Sequence, residues 1–204
     1  MTTWLHEQRL EVVLAVFRSS GAETVLDLGC GDGALLTRLI REPNIRRIVG
    51  IDLSAEALHR LRVKLREEPP AIRCKVELFH GSLMEPRESL AGFDAAILFE
   101  TIEHIDPDRL SLVERAVFRE LRPAMAIVTT PNSDFNALLG VPSSRFRHPD
   151  HRFEWGRIKF RTWADGVSGR NGYGVTFEDV PDMHPACGGP TQMGVFRRHV
   201  KSML

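Results

Sequence analysis

The sequence predicts an α/β fold built on a doubly wound, mostly parallel β-sheet. Short apolar stretches typical of buried strands alternate along residues 22–131 with amphipathic stretches typical of helices. A glycine-rich turn at residues 29–33 follows the first apolar stretch directly, as expected where a strand turns sharply into a helix. Because this alternation produces consecutive βαβ units, we expect parallel strands with helices on both faces of the sheet.

The predicted elements begin with an amphipathic lead-in helix over residues 1–21, which Gly21 closes. Ser54 should cap the helix after the second strand, and Pro107 should start the helix after the fourth. Within this part of the chain, strands are predicted at 23–29, 45–52, 71–83, 93–99 and 124–133, and helices at 33–43, 55–68 and 107–121.

The regular alternation stops after the fifth strand. Residues 140–153 predict a loop and residues 154–167 a helix. Two further strands are predicted at 174–181 and 193–200, and we expect them to pair with each other in antiparallel fashion.

Composition limits the classes of protein and partner. With 204 residues, 43% of them hydrophobic, the chain can bury one substantial core, which favours a single domain. Lys+Arg and Asp+Glu both number 27, so no overall positive field attracts nucleic acid, and any RNA contact must come from a local patch.

The cysteines and the apolar runs indicate the cellular compartment of the protein. Cys30, Cys74 and Cys187 are odd in number and widely spaced, which favours reduced thiols over a disulfide framework or a thiolate zinc site. No apolar run approaches the roughly 20 residues of a membrane span, and the N-terminus lacks a signal-peptide pattern. We therefore expect a cytoplasmic protein without a membrane partner.

The first chemical motif is the glycine turn, VLDLGCGDG at residues 25–33. Its spacing is G-x-G-x-G, through Gly29, Gly31 and Gly33, and differs from the G-x-G-x-x-G of dinucleotide-binding proteins. Asp27 precedes the glycines, and its carboxylate would repel a pyrophosphate but attract an ammonium group, directly or through water. The motif therefore predicts a cationic ligand with an amino-acid tail.

Polar residues at the next strand ends extend this prediction. Asp52 ends the second strand, where a carboxylate can accept both hydroxyls of a ribose. Ser82 and Leu83 end the third strand and suit the edge and face of an adenine. We expect Leu53 and Phe99 to complete the cofactor site. The alternative is that these are ordinary strand-to-helix turns, with glycine serving geometry and aspartate serving as a helix cap.

Over residues 22–131 the chain resembles the class I S-adenosylmethionine-dependent methyltransferases. The resemblance implies a Rossmann-like, seven-stranded, mostly parallel sheet with a reversed last strand. It also implies S-adenosyl-L-methionine as the cofactor, which agrees with the cationic, ribose-containing and adenine-like ligand predicted from the strand ends.

A second motif, FETIEHID, follows the fourth strand. Its Glu100, Glu103 and His104 are spaced so that a helical turn would place all three on one face. Two carboxylates and an imidazole converging there repel one another unless a cation or protons neutralise them, which favours a divalent metal ion. His148 or His151 could supply one more ligand. The alternative is a solvated helix start with a surface histidine.

FETIEHI, TTPNSDFN and DHRFEW together resemble the small-RNA 3′-terminal 2′-O-methyltransferases of the Hua-enhancer type, over about residues 5–198. The resemblance implies Glu100, Glu103, His104 and His151 as catalytic ligands of Mn²⁺ or Mg²⁺, because the family's fourth ligand is the histidine of D-H-x-F-E-W. It favours the methyltransferase domain of the bacterial RNA-repair branch. There we expect an RNA end-healing and ligation enzyme as a partner, through a domain absent from this sequence.

The resemblance implies transfer of a methyl group to the 2′-OH of an RNA 3′-terminal nucleotide with a free 2′,3′-diol. His148, His104 and metal-polarised solvent remain open as the proton acceptor. The alternative function is a metal-independent methyltransferase of a small molecule or a protein. For the metal-dependent RNA methyltransferase we expect a single domain over residues 1–204. It comprises the lead-in helix (1–21), a cofactor-binding core (22–131), a metal- and RNA-binding insert with its helix (132–170) and the terminal strands (171–204).

A local basic patch is the candidate RNA contact. From residue 145 to 161 the chain has six basic residues and two acidic ones. We expect Arg145, Arg147 and Arg152 to hold RNA phosphates, and Asn132 to contact the RNA. The alternative for Asn132 is a helix cap, whereas Arg157, Lys159 and Arg161 should form only the solvated face of a helix.

Overall fold

Seven strands form one sheet in the computed structural model, which describes residues 4–180 and 184–199. Their order across the sheet is β3-β2-β1-β4-β5-β7-β6. Strands β1 to β5 are parallel, and β7 runs antiparallel to both β5 and β6. The predicted α/β class and the reversed last strand are therefore confirmed. The strands are β1 (Thr24–Leu28), β2 (Arg47–Asp52), β3 (Val76–His80), β4 (Ala95–Leu98), β5 (Met125–Pro131), β6 (Tyr173–Asp179) and β7 (Thr191–Arg198).

The helices cover both faces of the sheet, as predicted. They are α1 (Trp4–Ser20), α2 (Leu36–Leu39), α3 (Ala55–Arg66), α4 (Pro70–Arg73), α5 (Leu110–Glu114) and α6 (Arg157–Asn171). Helix α5 continues as a π-helix over Arg115–Leu121, and 3₁₀ turns form at Glu88–Leu90, Ile102–His104, Pro107–Arg109 and Ser133–Leu139. Ser54 caps α3 as predicted, since its hydroxyl accepts a hydrogen bond from the Ala57 N–H at 3.1 Å.

Three predicted elements differ from the structure. The helix expected at 33–43 shrinks to the single turn of α2, because Gly33 has a positive φ that a helix cannot contain. The strand expected at 71–83 spans only Val76–His80, because Pro70 begins α4 before it, and Ser82 and Leu83 lie beyond its end. Helix α6 begins at Arg157, three residues later than predicted. The predicted extensions to residues 1–3, 181 and 200 lie outside the described residues.

Each face of the sheet packs its own apolar cluster. On one face Phe118, Phe160 and Phe196 are almost completely buried beneath α5 and α6. On the other, Leu14 of α1 and Leu61 of α3 are buried together. Because the chain reverses its winding between β1 and β4, the carboxyl ends of these strands border a crevice. Within the described residues, no helix combines the length and the apolar character needed to cross a lipid bilayer.

Candidate active site

A pocket of about 510 Å³ occupies the crevice at the carboxyl ends of β1, β2 and β4. Six of the nine residues predicted to bind the cofactor line it: Gly29, Gly31, Asp52, Leu53, Ser82 and Leu83. The carboxylate of Asp52 organises the glycine turn, since its two oxygens accept hydrogen bonds from the N–H groups of Gly31 and Ser54, each at 2.7 Å. Each oxygen retains a further lone pair, so the carboxylate remains able to accept a ribose hydroxyl.

Asp27 lies behind the glycine turn rather than on the pocket wall. Its side chain is 1% exposed, and its Oδ2 atom has no hydrogen-bond partner among the described residues. Burial, together with the nearby charge of Asp52, raises the pKa of Asp27 to about 7. An unpartnered buried carboxylate beside a pocket fits a cationic ligand, because a positive charge there would relieve the cost of ionisation.

The glycines of the turn have different roles. Gly29 has φ +84°, and a Cβ atom there would lie 2.5 Å from Cγ2 of Thr101, so this position requires glycine. A Cβ atom at Gly33 would collide with Leu61 instead, which makes Gly33 a packing residue that is not on the pocket wall. Phe99 is likewise absent from the wall and packs edge-on against the His6 ring, with centroids 5.6 Å apart. Direct contacts of Gly33 and Phe99 with a cofactor are therefore not supported.

Three of the four predicted metal ligands converge beside this pocket. Ligand atoms of Glu103, His104 and His151 all lie within 4.8 Å of one another, although His151 is far from the other two in the sequence. A main-chain hydrogen bond from the Arg152 N–H to the Glu103 carbonyl, 2.7 Å long, holds the two segments together. Carboxylate and imidazole groups at this spacing suit a divalent ion with little movement of the side chains.

Glu103 is the most deeply buried member of the cluster. Its side chain is inaccessible to solvent; Oε2 accepts a hydrogen bond from the Thr130 hydroxyl at 3.0 Å, and Oε1 has no partner among the described residues. Burial and the charge of Glu100 raise the pKa of Glu103 well above its ordinary value. A buried carboxylate with one free oxygen fits a bound cation better than an isolated ionised group.

The hydrogen bonds of the histidines indicate which ring nitrogens are available. Nδ1 of His151 lies 2.6 Å from the Glu154 carboxylate and so carries the proton, which leaves Nε2 free to bind a metal. Nδ1 of His148 accepts a hydrogen bond from the Asp150 N–H at 3.2 Å. A neutral His148 therefore carries its proton on Nε2, which makes it a poor proton acceptor in this conformation.

Glu100, the fourth predicted ligand, is held apart from the cluster. Its Oε2 atom accepts a hydrogen bond from Arg9 of α1, whereas its Oε1 atom is buried without a partner among the described residues. The backbone at Glu100 has φ +49°, unusual for a residue other than glycine, and its N–H donates to the Thr129 hydroxyl at 2.9 Å. Glu100 lines the crevice pocket together with His104.

Comparisons with known proteins identify the family of the chain. The family described as a methyltransferase domain matches residues 25–124. The small RNA 2′-O-methyltransferase of Rattus norvegicus is 40% identical over 96% of this chain and 51% of that protein, and that of Arabidopsis thaliana is 34% identical over 98% and 23%. The methyltransferase domain of bacterial CtHen1-C is 40% identical, with a TM-score of 0.87, over 96% of this chain and 100% of that one. The chain belongs to the small RNA 2′-O-methyltransferase family.

Membership in this family confirms the resemblance found in the sequence and the S-adenosylmethionine-dependent methyltransferase fold. The chain spans about half the length of the rat protein and under a quarter of the Arabidopsis protein.

The structure does not support two of the predicted RNA contacts, because their side chains bind other parts of the protein. Asn132 is 1% exposed; its Nδ2 donates to the Cys187 and Gly189 carbonyls, and its Oδ1 accepts from the Asp134 N–H. This is the helix-cap role that was the alternative for Asn132. The guanidinium of Arg147 donates to Asn136 and to the Pro190 and Asn132 carbonyls.

The other two predicted RNA contacts remain accessible. Arg145 and Arg152 are exposed, and the only carboxylate near Arg152 among the described residues is Asp106, 3.7 Å away. A loose, exposed ion pair of this kind contributes little to stability, so Arg152 is free to contact a phosphate.

Sequence reasoning missed three residues that support the site. Arg9 binds Glu100, Thr130 binds Glu103, and Glu154 binds His151. The side chain of Glu154 is 1% exposed and also accepts hydrogen bonds from Asn136 and from the Arg147 N–H. Its position three residues after His151 was the one local signal that could have identified it.

Proposed function

We propose that the chain transfers a methyl group from S-adenosyl-L-methionine to the 2′-OH of the 3′-terminal nucleotide of RNA, with the help of Mn²⁺ or Mg²⁺. The observation that carries the proposal is a shared wall. Glu100 and His104 belong to the predicted metal-ligand set and also line the crevice pocket that suits the methyl donor. A substrate hydroxyl held by the cluster would therefore lie beside the donor's methyl group, as direct transfer requires.

On the donor side, each residue has a defined task. Asp52 would accept the ribose hydroxyls, and its hydrogen bonds to the Gly31 and Ser54 N–H groups fix its orientation. The buried carboxylate of Asp27 would attract the ammonium group of the donor. Ser82 and Leu83 line the same pocket and would border the adenine.

On the acceptor side, Glu103, His104 and His151 would hold the metal ion, with Glu100 as a fourth ligand once it leaves Arg9. A bound divalent ion lowers the pKa of a coordinated hydroxyl and orients it. Glu154 would fix the orientation of the His151 ring through Nδ1, which leaves Nε2 to face the metal ion. His148 has 55% of its side chain exposed, and its free rotation would be needed before it could accept a proton.

The test measures methyl transfer to a short RNA ending in a 2′,3′-diol, with Mn²⁺ or with chelator, alongside an RNA whose terminal ribose is 2′-deoxy. We expect transfer only to the diol and only with metal. His151→Ala should abolish transfer while donor binding persists, and the exposed His59→Ala should behave as wild type. Full activity in chelator would instead favour a metal-independent methyltransferase of a small molecule or protein.

We further propose that the RNA ends belong to broken RNA under repair, in the cytoplasm, with an end-healing and ligation enzyme as partner. The identity to a bacterial methyltransferase domain and the three free cysteines support this placement. Purification of the protein from a bacterial host carrying the full-length gene, followed by assay for co-purifying RNA ligase activity, would test the partnership. Absence of such activity would contradict it.

A further inference from the structure

A second pocket, of about 350 Å³, lies on the other side of Glu154 from the metal-ligand cluster. Its lining includes Asn136, Val141, Pro142, Arg145, Phe146 and Glu154, and we call it the Phe146 pocket. The two oxygens of the Glu154 carboxylate connect the sites. Oε1 lies 2.6 Å from Nδ1 of His151, and Oε2 accepts a hydrogen bond from Nδ2 of Asn136, also 2.6 Å long. The pocket is thus separated from a predicted metal ligand by the width of one carboxylate.

The surface of the Phe146 pocket is suited to a base with an attached phosphate. Phe146 is 48% exposed, which leaves a ring face available for stacking. Arg145 is exposed, and no carboxylate among the described residues forms an ion pair with it. The carboxylate that does line the pocket, Glu154, has a side chain 1% exposed and is bound by His151, Asn136 and the Arg147 N–H. The accessible charge at the pocket is therefore positive.

We propose that the Phe146 pocket receives the nucleobase of the RNA 3′-terminal nucleotide, with Phe146 stacking on the base and Arg145 contacting the phosphate on its 5′ side. This proposal rests on the proposed function, since it requires the terminal ribose to lie at the metal-ligand cluster. The amide of Asn136 is already bound to Glu154 and to Arg147, so it does not read the base edge. Stacking on Phe146 tolerates all four bases but requires that a base be present.

The experiment compares two RNAs of identical sequence, one ending in a normal nucleotide and the other in an abasic ribose that keeps the 2′,3′-diol. Affinity is measured by fluorescence anisotropy with Mn²⁺ and S-adenosylhomocysteine, and methyl transfer gives KM and kcat. Wild type, Phe146→Ala and Leu138→Ala are compared. Leu138 is the matched control, because it is 53% exposed on the adjacent 3₁₀ turn but does not line the pocket.

We expect the wild type to bind the abasic RNA roughly tenfold more weakly than the normal RNA, through a change in KM rather than kcat. Phe146→Ala should weaken binding of normal RNA by a similar factor and have no further effect on abasic RNA. Leu138→Ala should resemble wild type with both. Equal KM values of the wild type for the two RNAs would overturn the pocket assignment but not the proposed function. The same holds if Phe146→Ala weakens binding of the abasic RNA as much as it weakens binding of the normal RNA. No methyl transfer to normal RNA would overturn the proposed function and the pocket with it.

Discussion

Replacing Asp27 by asparagine removes a carboxylate that the free protein ionises at a cost. Burial raises the pKa of Asp27 from 3.8 to about 7, a difference of about three pH units. Each unit corresponds to about 1.4 kcal/mol, so ionised Asp27 destabilises the folded state by roughly 4 kcal/mol. Between pH 4 and 7 the folded protein keeps a proton that the unfolded chain has released. This group therefore makes the free energy of unfolding fall by about 1.4 kcal/mol per unit as pH rises, and the decline ends above pH 7.

Urea unfolding of wild type and Asp27→Asn at pH 5, 6, 7 and 8 measures this contribution as a difference between the two proteins. The difference in free energy of unfolding, variant minus wild type, should increase by roughly 3 kcal/mol from pH 5 to pH 8. It should also bind S-adenosylmethionine more weakly, chiefly at pH 8, because the ammonium of the donor loses its counter-charge. A stability difference that does not change with pH, together with unaltered donor binding, would refute the reasoning.

Three further predictions concern residues that support the site. Arg9→Ala should lower the free energy of unfolding by about 1–3 kcal/mol, because Glu100 loses its partner, and Mn²⁺ should raise the Tm of this variant more than that of wild type. The exposed Arg60→Ala is the control, and equal Tm shifts for Arg9→Ala and wild type would contradict the role of Arg9. Glu154→Gln should weaken Mn²⁺ binding, measured by calorimetry, by about 10–100-fold, because the ring of His151 loses its charged partner. The control Glu56→Gln should have no effect, and an unchanged affinity of Glu154→Gln would contradict the role of Glu154. Gly29→Ala should lower the Tm more than Gly31→Ala, because both have positive φ but only Gly29 faces Thr101, so equal losses would argue against the overlap.

The sheet and the donor pocket could be predicted largely from local patterns. An apolar run followed by a glycine turn indicates a strand and its exit, and Ser54 carries its capping signal in its own position. The proximity of Glu103 and His104 could be predicted for the same reason, because the two residues are neighbours in the sequence. His151 joined it only through the family motif, because nothing in residues 145–152 states which histidine turns inward.

Contacts between distant segments could not be predicted in this way. Arg9 and Glu100 are 91 residues apart in the sequence. Nothing in the sequence around an arginine of an amphipathic helix indicates whether its side chain binds a buried carboxylate or faces solvent. Arg147 looked like part of a basic patch, but its guanidinium donates to two backbone carbonyls and to the side chain of Asn136. Charge counted along the chain does not report which cations the fold has already neutralised.

The main-chain hydrogen bond between Arg152 and Glu103 has an evolutionary consequence. Because it uses only peptide groups, its existence does not depend on which side chain occupies position 152. Relatives can therefore carry a different side chain at position 152 without a change in the distance between Glu103 and His151. We therefore expect the contact between the two segments to survive substitution of Arg152, whatever happens to its phosphate contact, with the exception of proline, which lacks the amide proton.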